Sequence, residues 1–174
     1  IKIPEILLPN TDDMEAWAVI ACDQHTSDAA YWKELDRTVG EKLSSLRLIL
    51  PEIYLETNYS AMTEKIFSTM KRYRAEGVFR KLPAGVVLVE RSTDYSEDRF
   101  GIVLAVDLER YSYEKGNTAP IRASEATILE RIPPRLKIRE GACIELPHIM
   151  LLYNDPSDGV LKELKEQRDN LPLL

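Results

Sequence analysis

Two β-branched runs, AGVVLVERSTD (Ala84 to Asp94) and RFGIVLAVDL (Arg99 to Leu108), are separated by only a few polar residues. Runs of this kind joined by so short a loop read as an antiparallel hairpin. A hairpin breaks the strand–helix–strand rhythm that a regular parallel array requires, so it constrains the fold class more than any other feature. The remaining segments alternate irregularly around it. TSDAAYWKELDRTVG carries Ala30, Tyr31, Leu35 and Val39 at helical spacing, with Thr26 or Ser27 as cap and Gly40 as stop. YSAMTEKIFSTMKRYRAEG is the clearest helix, with Ser60 as cap, Ile66, Met70 and Tyr73 on one side, and Gly77 at its end. SDGVLKELKEQR closes the chain as a further helix.

Three other segments read as extended. WAVIACD (Trp17 to Asp23) is a short run of strand formers. LRLILPEIYL (Leu46 to Leu55) is held to a strand edge or end by Pro51. LPHIMLLYNDP (Leu146 to Pro156) reads as a buried strand followed by a turn that includes Asp155. The expected architecture is therefore α+β, a mixed and largely antiparallel sheet with helices packed on it. At 174 residues one domain, 1–174, accommodates all of it.

Charge narrows the partners. A net charge of −6 leaves no global basic field for nucleic acid or an anionic membrane. No apolar run approaches the roughly 20 residues of a membrane span. The first residues lack a signal-peptide pattern, and two cysteines, Cys22 and Cys143, do not make a disulfide framework, so a reducing cytoplasm is the expected location.

Against this acidic background, GNTAPIRASEATILERIPPRLKIREG (Gly116 to Gly141) is basic. Residues 122 to 140 carry five basic and three acidic side chains, a net of +2, which leaves −8 for the rest of the chain. Ser124 is placed to cap a helix beginning at Glu125, Ala126 and Thr127. A helix start offers unpaired N–H groups and about half a positive charge. Arg122 just upstream could close bidentately on an anion there, and the Ser124 and Thr127 hydroxyls could add donors. Arg131 and Arg135 follow, with Pro133-Pro134 starting a second short helix. An ordinary solvated face is the competing reading, since Glu in a first turn suits the dipole and Arg135 and Arg139 sit four apart.

Other groupings are weaker. Cys22, Asp23, Gln24 and His25 stand at a strand end, but Cys22-x-x-His25 lacks a second ligand pair for zinc. His148 lies in an apolar run and reads as a core histidine. Asp94, Asp98 and Asp107 are candidate magnesium ligands near the hairpin. Neither GxGxxG nor GxxxxGK[ST] occurs.

The segments WAVIACDQHTS, LILPEIYL, RYRAEGVF, the stretch from Arg99 to Ala142 and LPHIMLLYNDP, in that order, resemble the bacterial and archaeal family called domain of unknown function 1015. Members are longer, so the resemblance implies that this chain corresponds to an N-terminal part. Many members have H-E-x-T where this chain has Ser124-Glu125-Ala126-Thr127, so Glu125 and Thr127 match and Ser124 replaces the histidine. More distantly the pattern is similar to the ParB/sulfiredoxin-like fold and its free serine kinases, in which a basic helix start holds nucleotide phosphates; PIRASEA lacks the glycine of that motif. These likenesses imply a nucleotide- or phosphate-binding enzyme acting on a small anionic molecule, a small-molecule phosphotransferase with magnesium. In it Arg122, Ser124, Thr127, Arg131 and Arg135 would hold phosphate, and Glu125 would act as general base. A non-catalytic or regulatory module for an anionic metabolite is the alternative.

Overall fold

A computed structural model describes residues 1–19, 25, 27–54, 59–124, 126, 128–146 and 149–174. The fold is α+β. The strands form three separate pairs, two antiparallel and one parallel, where the sequence suggests one mixed sheet. The chain groups into two compact units, one made of 7–81 and 124–148, the other of 1–6, 82–123 and 149–174.

In the first unit, β1 (Leu7–Pro9) pairs antiparallel with β2 (Phe79–Lys81). Helix α1 (Met14–Trp17) follows, capped by Asp13, whose carboxylate accepts from the Ala16 N–H at 3.1 Å. That cap turns Trp17 into a helix end instead of the start of a strand, and buries its ring. Helix α2 (Ala29–Val39) begins at Asp28, which accepts from the Tyr31 N–H at 2.9 Å; neither Thr26 nor Ser27 is the cap. It stops at Gly40, where φ is +54°, a conformation open mainly to glycine.

The segment from Leu46 is not extended. Two 3₁₀ turns, Ser45–Leu48 and Glu52–Tyr54, occupy it. The fully buried Ser44 hydroxyl accepts from the Leu46 N–H at 3.1 Å, which winds the chain locally. Leu46 then joins Trp32 and Val39, while Leu48 joins the main cluster of Trp17, Ile66, Met70, Tyr73 and Val78. The alternating leucines serve two clusters, not one face of a strand.

Helix α3 (Tyr59–Ala75) is the spine of this unit. It starts one residue before Ser60, so Ser60 is inside the helix and not its cap. Thr63, Ile66, Met70 and Tyr73 are buried at spacings of three and four, as one helix face requires. The two threonine hydroxyls on that face, Thr63 and Thr69, return their protons to the Tyr59 and Lys65 carbonyls, so their burial leaves no donor unmet. Helix α4 (Ile132–Gly141) packs on α3 through Pro134 and Ile138, four residues apart.

In the second unit, β3 (Val87–Thr93) and β4 (Ser96–Val103) form the hairpin that the sequence indicates. The ladder runs further into the connecting loop than expected, because the Thr93 hydroxyl accepts from the Ser96 N–H at 3.2 Å and closes the turn at Asp94 and Tyr95. Strands β5 (Tyr111–Ser112) and β6 (Ile121–Arg122) make the parallel pair. Helix α5 (Gly159–Gln167) lies against the hairpin, with the Lys165 ammonium 4.7 Å from the centre of the Phe100 ring. Arg168, just beyond α5, pairs with Glu90 at 3.0 Å.

The run Ile149 to Tyr153 is neither a strand nor buried. Leu152 is 90% exposed. Its apolar pattern specifies what a strand would bury but supplies no partner edge, and among the described residues none pairs with it.

Candidate functional site

The basic stretch is built from three pieces. The first is the loop that delivers Arg122. Gly116 adopts φ +79°, and the Asn117 side chain accepts from the Ala119 N–H at 2.8 Å, reversing the chain into β6. Arg122 ends β6 opposite Ser112 and is exposed.

The second piece is the connection to α4. Ser124 is an exposed bend residue and not a helix cap. Glu125 and Thr127 lie outside the described residues. The first helical turn is the 3₁₀ segment Leu129–Arg131, entered from Ile128 without a side-chain cap. α4 then starts at Ile132, several residues later than the Ser124 cap would imply. The proline pair explains the delay. Pro133 and Pro134 lack N–H donors and are tolerated only in a first helical turn, which places the α-helix start immediately before them.

The third piece is the outer face of α4. Pro134 and Ile138 turn inward, so residues offset by about half a turn point away. Arg131, Arg135 and Arg139 recur at spacing four there, with Ile132 and Leu136 beside them. These five side chains line a concavity of about 200 Å³. Arg139 pairs with Glu145 at 3.0 Å, and the neighbouring Cys143 carbonyl accepts from the Arg74 guanidinium at 3.2 Å, which fastens the end of α4 to α3. Three guanidiniums on one stripe repel each other by about 0.2–0.5 kcal/mol per adjacent pair, a cost that a bound anion would reverse.

The structure thus brings Arg131 and Arg135 to one concavity and adds Arg139, whose spacing of four from Arg135 was the available sign. Ile132 and Leu136 were not readable as site residues from sequence, because apolar positions of a helix are ordinarily assigned to the core. The border between the two units falls between Ala123 and Ser124, so Arg122 belongs to one and Ser124, Arg131 and Arg135 to the other.

Over residues 5–173 the chain matches the family described as "Protein of unknown function (DUF1015)". The chain belongs to the DUF1015 family. No curated protein and no solved structure matches it.

The other sequence candidates of this DUF1015 chain have structural duties or lie outside the described residues. Cys22, Asp23, Gln24 and His148 are in the latter group, as is the Asp98 side chain. The His25 ring stacks on Tyr31 at 3.8 Å and its carbonyl accepts from the Trp32 indole at 2.8 Å. Asp94 sits exposed in the hairpin turn, and Asp107 caps a 3₁₀ turn through the Glu109 N–H at 3.0 Å. Asp155 is the turn residue its sequence suggests: it accepts from the Ser157 hydroxyl at 2.9 Å and the Val160 N–H at 3.0 Å. Those two donors hold its carboxyl below the ordinary aspartate value, the Val160 N–H contributing most. Among the described residues no group of three or more His, Cys, Asp or Glu side chains could hold a metal ion. Nor is any helix among them long and apolar enough to cross a membrane.

Proposed function

We propose that this chain binds a nucleotide or another small phosphate-bearing molecule and acts as a small-molecule phosphotransferase. The observation that carries the reading is the Arg131, Arg135 and Arg139 stripe over one concavity. Guanidinium is the cation best shaped to grip phosphate oxygens in pairs, and a helix scaffold holds its neighbours at fixed spacing. The local +2 inside a chain of net −6 supports it, because an acidic surround repels unselected polyanions while the pocket stays attractive. Nucleic acid is a poor partner for the same reason.

In this reading Arg131 and Arg135 carry the phosphate charge, with Arg122, Ser124 and Thr127 as further donors. Glu125 accepts the proton of the attacking hydroxyl, and the phosphoryl group passes from the donor oxygen to that hydroxyl oxygen. The described residues offer no ligand set for the magnesium that the resemblance implies, so no step is routed through a metal. The likeness to free serine kinases adds analogy at fold level only.

The test is a thermal-shift screen of the chain against nucleotides and phosphorylated metabolites, with and without magnesium, followed by phosphate-release assays on any stabilising compound. Stabilisation that Arg135→Ala abolishes, with turnover that Glu125→Gln removes, is the expected result. Stabilisation without turnover would leave the non-catalytic binding module in place of the enzyme. No stabilisation by any probe would remove both.

A further inference from the structure

The outer face of α4 is not uniformly basic. Ile132 and Leu136 stand between the arginine positions and line the same concavity, although they are 39% and 50% exposed. The inward contacts of α4 are already supplied by Pro134, which is buried, and by Ile138, which packs on the main cluster. Ile132 and Leu136 belong to neither hydrophobic cluster. A face intended for a bare inorganic anion has no use for two half-exposed branched side chains at its centre. Water at those positions weakens nothing by leaving, but an apolar ligand surface replacing it gains affinity.

We infer that the ligand of this face is an organic phosphate ester whose apolar body lies on Ile132 and Leu136 while its phosphate faces Arg131 and Arg135. The inference rests on the phosphate-binding reading above and sharpens it by stating what else the ligand carries. The arginine stripe provides charge and orientation. The apolar pair discriminates between a phosphate ester and free phosphate, which are otherwise alike to a guanidinium. The concavity of about 200 Å³ suits one phosphate with a ring-sized substituent and is smaller than the roughly 300–1,000 Å³ of sites that enclose a whole drug-sized ligand.

The discriminating probes are phenyl phosphate and inorganic phosphate, titrated into the 174-residue chain and followed by amide NMR shifts of residues 129–141. Covering the exposed parts of two branched side chains is worth roughly a factor of ten in affinity. Phenyl phosphate is therefore expected to bind about tenfold more tightly. Leu136→Gln and Ile132→Gln keep the helix and are expected to erase most of that advantage while leaving inorganic phosphate unchanged; Leu136→Met is expected to restore it. Equal affinity of the two probes, or Gln variants that bind phenyl phosphate as the parent does, would overturn the inference and leave the arginine site standing. If neither probe shifts these amides, the phosphate-binding reading falls and takes this one with it.

Discussion

The Phe67 ring occupies the place where a side chain at Gly141 would begin. A Cβ built on Gly141 meets three ring carbons of Phe67 at closer than contact distance. This glycine therefore sets how near the last turn of α4 comes to α3, and with it the position of the arginine stripe one to three turns earlier.

Gly141→Ala tests that closeness. Alanine at a helix interior is ordinarily favoured over glycine by about 1 kcal/mol, less at a last turn. Overpacking costs about 1–3 kcal/mol. The clash is expected to win, giving a lower urea midpoint, and Phe67→Leu in the same chain should recover part of it. A Gly141→Ala variant more stable than the parent would show that α4 shifts freely.

Arg135→Ala should leave the urea midpoint nearly unchanged, since its side chain is exposed and surface changes are usually within about 0.5 kcal/mol. Affinity for a stabilising phosphate compound should fall about 10- to 100-fold, the worth of a charge-assisted hydrogen bond. Loss of stability equal to the loss of binding would mean that Arg135 holds the fold instead.

Asp28→Ala should cost about 1 kcal/mol, because Asp28 alone satisfies the Tyr31 N–H at the start of α2. Asp28→Asn should cost much less and Ser27→Ala almost nothing. Equal effects at 27 and 28, read from thermal or urea unfolding, would return the cap to Ser27.

Asp155 gives a pH dependence with a defined sign. Its folded-state pKa is lowered, by the Val160 N–H first and the Ser157 hydroxyl second. The stabilisation is therefore present above the ordinary aspartate value of about 3.9 and is lost as pH falls through the lower folded value. The Val160 amide shift should titrate with a midpoint below 3.9, and Asp155→Asn should abolish that transition. A midpoint at or above the ordinary value would show that the bond does not persist in solution.

Met70→Ala removes a side chain that is 1% exposed from the centre of the main cluster. A loss of about 2–5 kcal/mol is expected in urea unfolding. The same substitution at Met150, which is 85% exposed, should cost almost nothing in this chain.

The sequence by itself determined whatever depends on neighbours along the chain. The periodicities of α2, α3 and α5, the hairpin of β3 and β4, the turn at Asp155 and the proline-led start of α4 were all legible, because spacing, caps and missing N–H groups act within a few residues. The basic stretch and its charge contrast were legible for the same reason. Tertiary structure decided which partner each apolar residue meets. Trp17, Leu46 and Leu48 looked like strand residues, yet local caps at Asp13 and Ser44 wound them into turns that feed two clusters. Ser124 looked like a cap, but the helix waits for the prolines. Arg131, Arg135 and Arg139 became one face only because Pro134 and Ile138 fixed the roll of α4 against α3. A periodic pattern names the faces of a helix; only packing chooses which face looks outward.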